Sequence, residues 1–111
     1  MNMNYFSRAE EIVLLAVWRL KGEAYCVPIR KQVAEVTGKE WSFGALYVPL
    51  SRLEKKGLLW STLAGTTNKR GGRSKRYYQI TPAGKKSLLE IRELQEVLWA
   101  GVLEGFPDET V

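Results

Sequence analysis

Residues 58–80 run LLWSTLAGTTNKRGGRSKRYYQI, and the reading of this stretch decides the fold. Its two ends, 58–63 and 77–80, are rich in apolar and aromatic residues and read as strands. Between them, residues 64–74 hold glycines, threonines and cations, the composition of a flexible hairpin. Lys69, Arg70 and Arg73 lie in this loop, with Ser74, Lys75 and Arg76 at its far end, and none has an acidic neighbour in sequence. Such a loop is costly to order unless phosphates meet it, and inserted arginines are favoured in narrow minor grooves.

Working upstream, Ser42 is a good N-cap and Gly57 a good stop for a helix between them. Phe43, Leu46, Leu50 and Leu53 form its expected inward stripe, leaving Gly44, Tyr47, Ser51 and Lys55 on the opposite face. Pro49 removes one helical N–H and clashes one turn back, so the helix is expected to bend there or to wind regularly only from about Leu46. Before it, Pro28 suits the first turn of a helix, and Ile29, Val33 and Val36 share one face up to Gly38. Two short helices with a tight link, the second carrying an exposed polar face, make a helix-turn-helix pattern.

Earlier still, Ser7-Arg8-Ala9-Glu10 has the form of a capping box, opening a helix that should run to about Lys21 with Gly22 as its stop. Its apolar residues, Ile12 to Leu15 and Val17, Trp18 and Leu20, cover more than one stripe, so a second side must be buried, and another subunit is expected to bury it. Downstream, Thr81 and Pro82 restart a helix as N-cap and first residue. It is expected to continue through Val102 to a stop near Gly105-Phe106-Pro107. Leu88, Ile91, Leu98 and Val102 fit an a/d seam with Gln95 as its polar member. This helix has no evident partner in its own chain, and pairing across a two-fold axis would supply one.

The expected architecture is mainly α, in the α+β class: a winged helix-turn-helix over residues 7–81 with a two-stranded wing, then a long C-terminal dimerisation helix over 82–106. Charge follows the same division. The chain carries +5 overall. Between Arg52 and Arg76 there are eight basic residues against one acid, whereas residues 90–111 hold six acids and one base. A polyanion is drawn to the middle and repelled by the end.

Candidate contacts to double-stranded DNA follow from these placements. Gly44 and Ala45 permit close approach, Tyr47, Ser51 and Arg52 can donate to phosphates or base edges, and the hairpin cations meet phosphates. Ile12, Leu15, Trp18, Leu88, Ile91, Gln95, Leu98, Trp99 and Val102 form the candidate dimer surface. Trp99 serves either that core or a flat ligand pocket between subunits. Cys26, the single cysteine, reads as a small buried apolar residue. With no histidine and one cysteine, the usual catalytic and metal constellations are missing, so no enzyme, metal or cofactor is expected. Residues 1–6 lack a basic n-region and apolar run, and no segment is long enough to span a bilayer. A cytoplasmic chain without membrane contact is expected. A different class of function is an adaptor that uses the same surfaces for proteins or ligands, and RNA is a weaker fit.

At Gly22-Glu23-Ala24-Tyr25, Gly44-Ala45-Leu46-Tyr47, the run from Leu50 to Leu58, Gly72 to Tyr78 and Ile80-Thr81-Pro82-Ala83-Gly84, the sequence resembles the PadR family of bacterial transcriptional regulators, in its short form with one C-terminal helix. The resemblance implies a dimeric winged-helix repressor that binds an inverted repeat and is often released by a small aromatic effector. By position, Tyr25, Tyr47 and Arg52 then look like DNA-contacting or helix-positioning residues, and Gly72 to Lys75 like the wing. Cys26 replaces a glycine common after the Ala-Tyr pair, and Val48 stands where a proline often follows Leu-Tyr.

Overall fold

The computed structural model describes residues 6–64 and 74–105. In chain order these form α1 (Arg8–Leu20), α2 (Cys26–Thr37), α3 (Phe43–Lys55), β1 (Leu59–Ala64), β2 (Lys75–Ile80), α4 (Pro82–Trp99) and a 3₁₀ turn at Leu103–Gly105. This is a winged helix-turn-helix followed by a long helix, as expected.

Local chemistry places most boundaries. The Ser7 hydroxyl accepts from the Glu10 amide at 3.1 Å, and the Ser7 amide donates to Glu10 Oε1 at 2.9 Å, which satisfies two amides that no helical carbonyl reaches. Ser42 and Thr81 cap α3 and α4 in the same way, accepting from Ala45 and Gly84 at 3.0 and 2.9 Å. Helix α2 starts at Cys26, with Pro28 in its first turn, and stops at Gly38 in the left-handed region.

Pro49 does not delay α3, which is α-helical from Phe43 onward. The proline lies one turn after Ala45, so the carbonyl deprived of its usual partner belongs to an exposed residue, where water can take the donor's place. Its ring packs inward beside Leu46, Leu50 and Leu53.

The core joins Val13, Leu14 and Val17 of α1 to Ile29 and Val33 of α2 and Leu46, Leu50 and Leu53 of α3. Leu58, Leu59 and Tyr78 close it from the wing side. β1 and β2 pair antiparallel from Leu59 opposite Ile80 to Ala64 opposite Lys75. The Tyr78 amide also donates to the Ala24 carbonyl at 2.8 Å, so the segment before α2 is fastened to the wing.

Helix α4 corrects two expectations. It does have a partner in its own chain, since Leu88 joins the core beside α1 and Ile91 is also buried. Gly84 lies so close to the Leu58 carbonyl and Ile80 side chain that no Cβ would fit. The second expectation concerned length. α4 ends at Trp99, because Gly101 takes a positive φ of 77° after the Ala100 cap. Val102 therefore follows the helix instead of extending its seam. Phe106 and Pro107 lie outside the described residues. Among the described residues no helix is long and apolar enough to cross a membrane.

Candidate nucleic-acid interface

Helix α3 buries Leu46, Pro49, Leu50 and Leu53. At about 100° per residue, the direction opposite that stripe is occupied by Gly44, Val48, Ser51 and Lys55, with Tyr47 and Arg52 on its flanks. All are exposed except Ser51, which is half-buried, and Tyr47 is 62% exposed. Val48 is absent from the sequence-based site, although its spacing of four from Gly44 and seven from Lys55 marks it as an outward residue. Ser42 contributes as the cap that holds the first turn, with Ala45 exposed beside it.

Phe43 departs from its expected inward position and is 53% exposed. The Arg30 guanidinium lies 4.6 Å from its ring centroid, while Arg30 Nε donates to the Trp41 carbonyl at 2.6 Å. The cation thus covers an aromatic face that would otherwise meet water. This contact joins α2 to the start of α3, a pairing that helical periodicity within either element does not disclose.

The wing base forms the other side of the surface. Lys75 Nζ sits 4.5 Å from the Tyr25 ring centroid, and Tyr25 meets Tyr77 edge-on at 5.3 Å. Tyr25 is the N-cap residue of α2, so this stack fixes the wing base against the helix-turn-helix. Arg76 donates to Ser61 Oγ at 2.9 Å, and Ser61 Oγ donates to Glu54 at 2.8 Å. That chain ties the second strand to α3 through the first. Ser74 is exposed at the start of β2. Lys69, Arg70 and Arg73 lie outside the described residues.

Between α3 and the wing base is an open groove of about 580 Å³, bordered by Tyr25, Cys26, Tyr47, Lys75, Arg76 and Tyr78 among others. Burial raises the pKa of the Cys26 thiol that lines it, an effect only partly offset by Arg30, and so keeps the sulfur protonated. Burial also raises the pKa of the Tyr78 hydroxyl, reinforced by the nearby Glu54 carboxylate.

The far end of α3 is anchored to α1. Lys56 Nζ donates to Glu10 Oε1 at 2.9 Å, where the Glu10 side chain is only 4% exposed. Burial alone would raise the Glu10 pKa. The Lys56 and Ser7 hydrogen bonds, with the charges of Lys56 and Arg52, outweigh it and leave the carboxyl below its usual value.

The expected dimer residues divide into two groups. Leu88 and Ile91 are buried within the chain, and Trp18 is half-buried with Lys85 Nζ 5.7 Å from its ring centroid. Ile12 and Leu15 line a small groove of about 140 Å³ against Gln32, Val33 and Val36 of α2. Gln95 approaches Glu11 at 3.5 Å, while Leu98 and Trp99 project outward with Val97. Among the described residues no cluster of His, Cys, Asp or Glu is placed to hold a metal ion.

Comparison with known proteins agrees with the winged-helix fold. The model of the Transcriptional regulator PadR-like family matches residues 14–90. The Transcriptional regulator Rv3488 of Mycobacterium tuberculosis is 43% identical over 68 residues, covering 61% of this chain and 60% of its own length. The chain thus spans well under two thirds of that curated relative. A PadR family regulator from Eggerthella lenta is 31% identical, with a TM-score of 0.65 over 84% of this chain and 79% of that one. A PadR family regulator from Clostridium difficile shares the fold, with a TM-score of 0.68 and 24% identity over 88% of this chain and 96% of that one. The family and these relatives are transcriptional regulators, not enzymes. The matched region runs from the middle of α1 through α2, α3 and both wing strands into the first half of α4, and the chain belongs to the PadR-like family of transcriptional regulators.

Proposed function

We propose that this regulator represses transcription by binding, as a homodimer, an inverted-repeat operator in double-stranded DNA. One observation carries the reading: Tyr47, on the flank of the outward face of α3, and the cationic base of the wing border the same groove. A helix of this kind enters the major groove, while wing cations meet flanking phosphates, so one surface supplies both base contact and sequence-blind attraction. Tyr25, Ser42, Gly44, Ala45, Tyr47, Ser51, Arg52 and Lys55 form the helical part, and Lys69, Arg70, Arg73, Ser74, Lys75 and Arg76 the wing part.

The exposed Val97, Leu98 and Trp99 support a dimer, because burying them against a second copy would remove an apolar surface from water. A small aromatic effector could then lodge beside Trp99 and alter the spacing of the two heads. The regulator works in the cytoplasm, where the DNA is.

The test is binding to the promoter fragment upstream of the chain's own gene across a range of salt. Affinity should fall steeply, with the logarithmic slope reduced by about 0.9 for each phosphate contact removed. Replacing Arg70, Arg73 and Lys75 together by glutamine should weaken binding to every sequence and flatten the slope. Unchanged binding would overturn the wing's role. An absence of retention on DNA at moderate salt would favour the adaptor reading.

A further inference from the structure

The first two turns of α3 present an unusual chemistry for reading DNA. From Phe43 to Leu50 the residues are Phe, Gly, Ala, Leu, Tyr, Val, Pro and Leu. None carries the guanidinium, ammonium, amide or carboxylate that makes paired hydrogen bonds to guanine, adenine or cytosine edges. The cations of this helix, Arg52 and Lys55, come in its last turn, and the Arg52 charge bears on the buried Glu10 carboxylate. The outward direction is instead apolar. Val48 is 47% exposed at its centre, flanked by exposed Gly44, Ala45 and Tyr47.

Exposed valine and alanine methyls on a helix end that approaches base edges have one complementary feature in the major groove. That feature is the C5-methyl group of thymine, the apolar projection by which a T·A pair differs from the others. Gly44 lets the helix come close, since its position carries no side chain. We infer that Ala45 and Val48, bordered by Tyr47, read thymine methyl groups, and that each half-site holds T·A pairs where the first turns of α3 enter the groove. This rests on the DNA-binding reading above. Specificity then comes from apolar contact on the helix, while hydrogen bonds from Ser51 and the later cations fix position.

The test uses the full chain and a pool of random duplexes. Repeated selection should enrich a two-fold site with thymines at fixed positions in each half. The selected duplex is then remade with single thymine-to-uracil exchanges, which delete only the methyl. Each contacted position should lose about three- to fivefold in affinity, the value of one buried methyl group. Val48→Ser should erase that difference at the position Val48 contacts while leaving the far-UV circular dichroism and thermal midpoint in place. Equal binding of uracil and thymine duplexes, or G·C pairs at the selected half-site centres, overturns methyl readout and leaves DNA binding standing. If no duplex is enriched, DNA binding falls as well.

Discussion

Lys56 Nζ lies 2.9 Å from Oε1 of the nearly buried Glu10 side chain, binding the end of α3 to the start of α1. The same oxygen accepts from the Ser7 amide, so a helix cap and a long-range ion pair share one carboxylate. Lys56→Met removes the cation and leaves the carboxylate with its cap alone. The expected loss is about 1–3 kcal/mol in urea unfolding at pH 7, below that of a fully buried pair because Lys56 is partly exposed.

The same pair gives a pH dependence of defined sign. The folded Glu10 pKa lies below the ordinary 4.5, so its contribution is complete above that value and is lost as pH falls through the lower folded value. The stability difference between wild type and Glu10→Gln should therefore be constant near neutrality and shrink below about pH 4.5. A difference that grew on acidification would contradict this assignment.

Gly84 tests the packing of α4. A methyl group there would overlap the Leu58 carbonyl, which cannot retreat without disturbing its hydrogen bond from the Thr81 amide. Gly84→Ala should destabilise the chain by about 1–3 kcal/mol despite alanine's better helix propensity. Thermal unfolding measures it.

Gly44 makes the opposite case. A Cβ there would meet only Ser42 Oγ at 3.9 Å, so Gly44→Ala should raise stability by about 0.5–1 kcal/mol. If α3 enters the major groove as proposed, the added methyl should also lower operator affinity. Calorimetric stability and DNA titration of this one variant separate the two effects.

Dimerisation is best tested beyond Gln95. Leu98→Glu with Trp99→Glu places charge on side chains that are 63% and 56% exposed, so the core of the single chain is untouched. The variant should sediment as a folded monomer and lose operator affinity. A charged residue at Ile91 would instead damage the chain's own core, since that side chain is 8% exposed.

The features legible in sequence are those whose chemistry is local. Ser7, Ser42 and Thr81 each satisfy amides within three residues, and Gly38 ends α2 through its own backbone freedom. The features that escaped depend on distant chain. Phe43 turns outward because Arg30 arrives from α2, and Leu88 is buried because α1 and the wing reach it first. Val48 escaped for another reason. As an apolar residue it was assigned to neither face, whereas its angular position on α3 places it outside. The early end of α4 was signalled by Gly101, but the following Gly105-Phe106-Pro107 cluster resembles a stop more strongly.

The bond from the Tyr78 amide to the Ala24 carbonyl has a mechanical consequence. With the Lys75, Tyr25 and Tyr77 stack beside it, the wing is riveted to the leading end of α2. The angle between the wing base and α3 is then a property of one stiff unit, and the two act as a caliper of set opening. A signal that swings the wing alone would have to break that joint. In the proposed dimer, the low-cost adjustment is the separation of two whole calipers along the DNA, which places control at the outer half of α4.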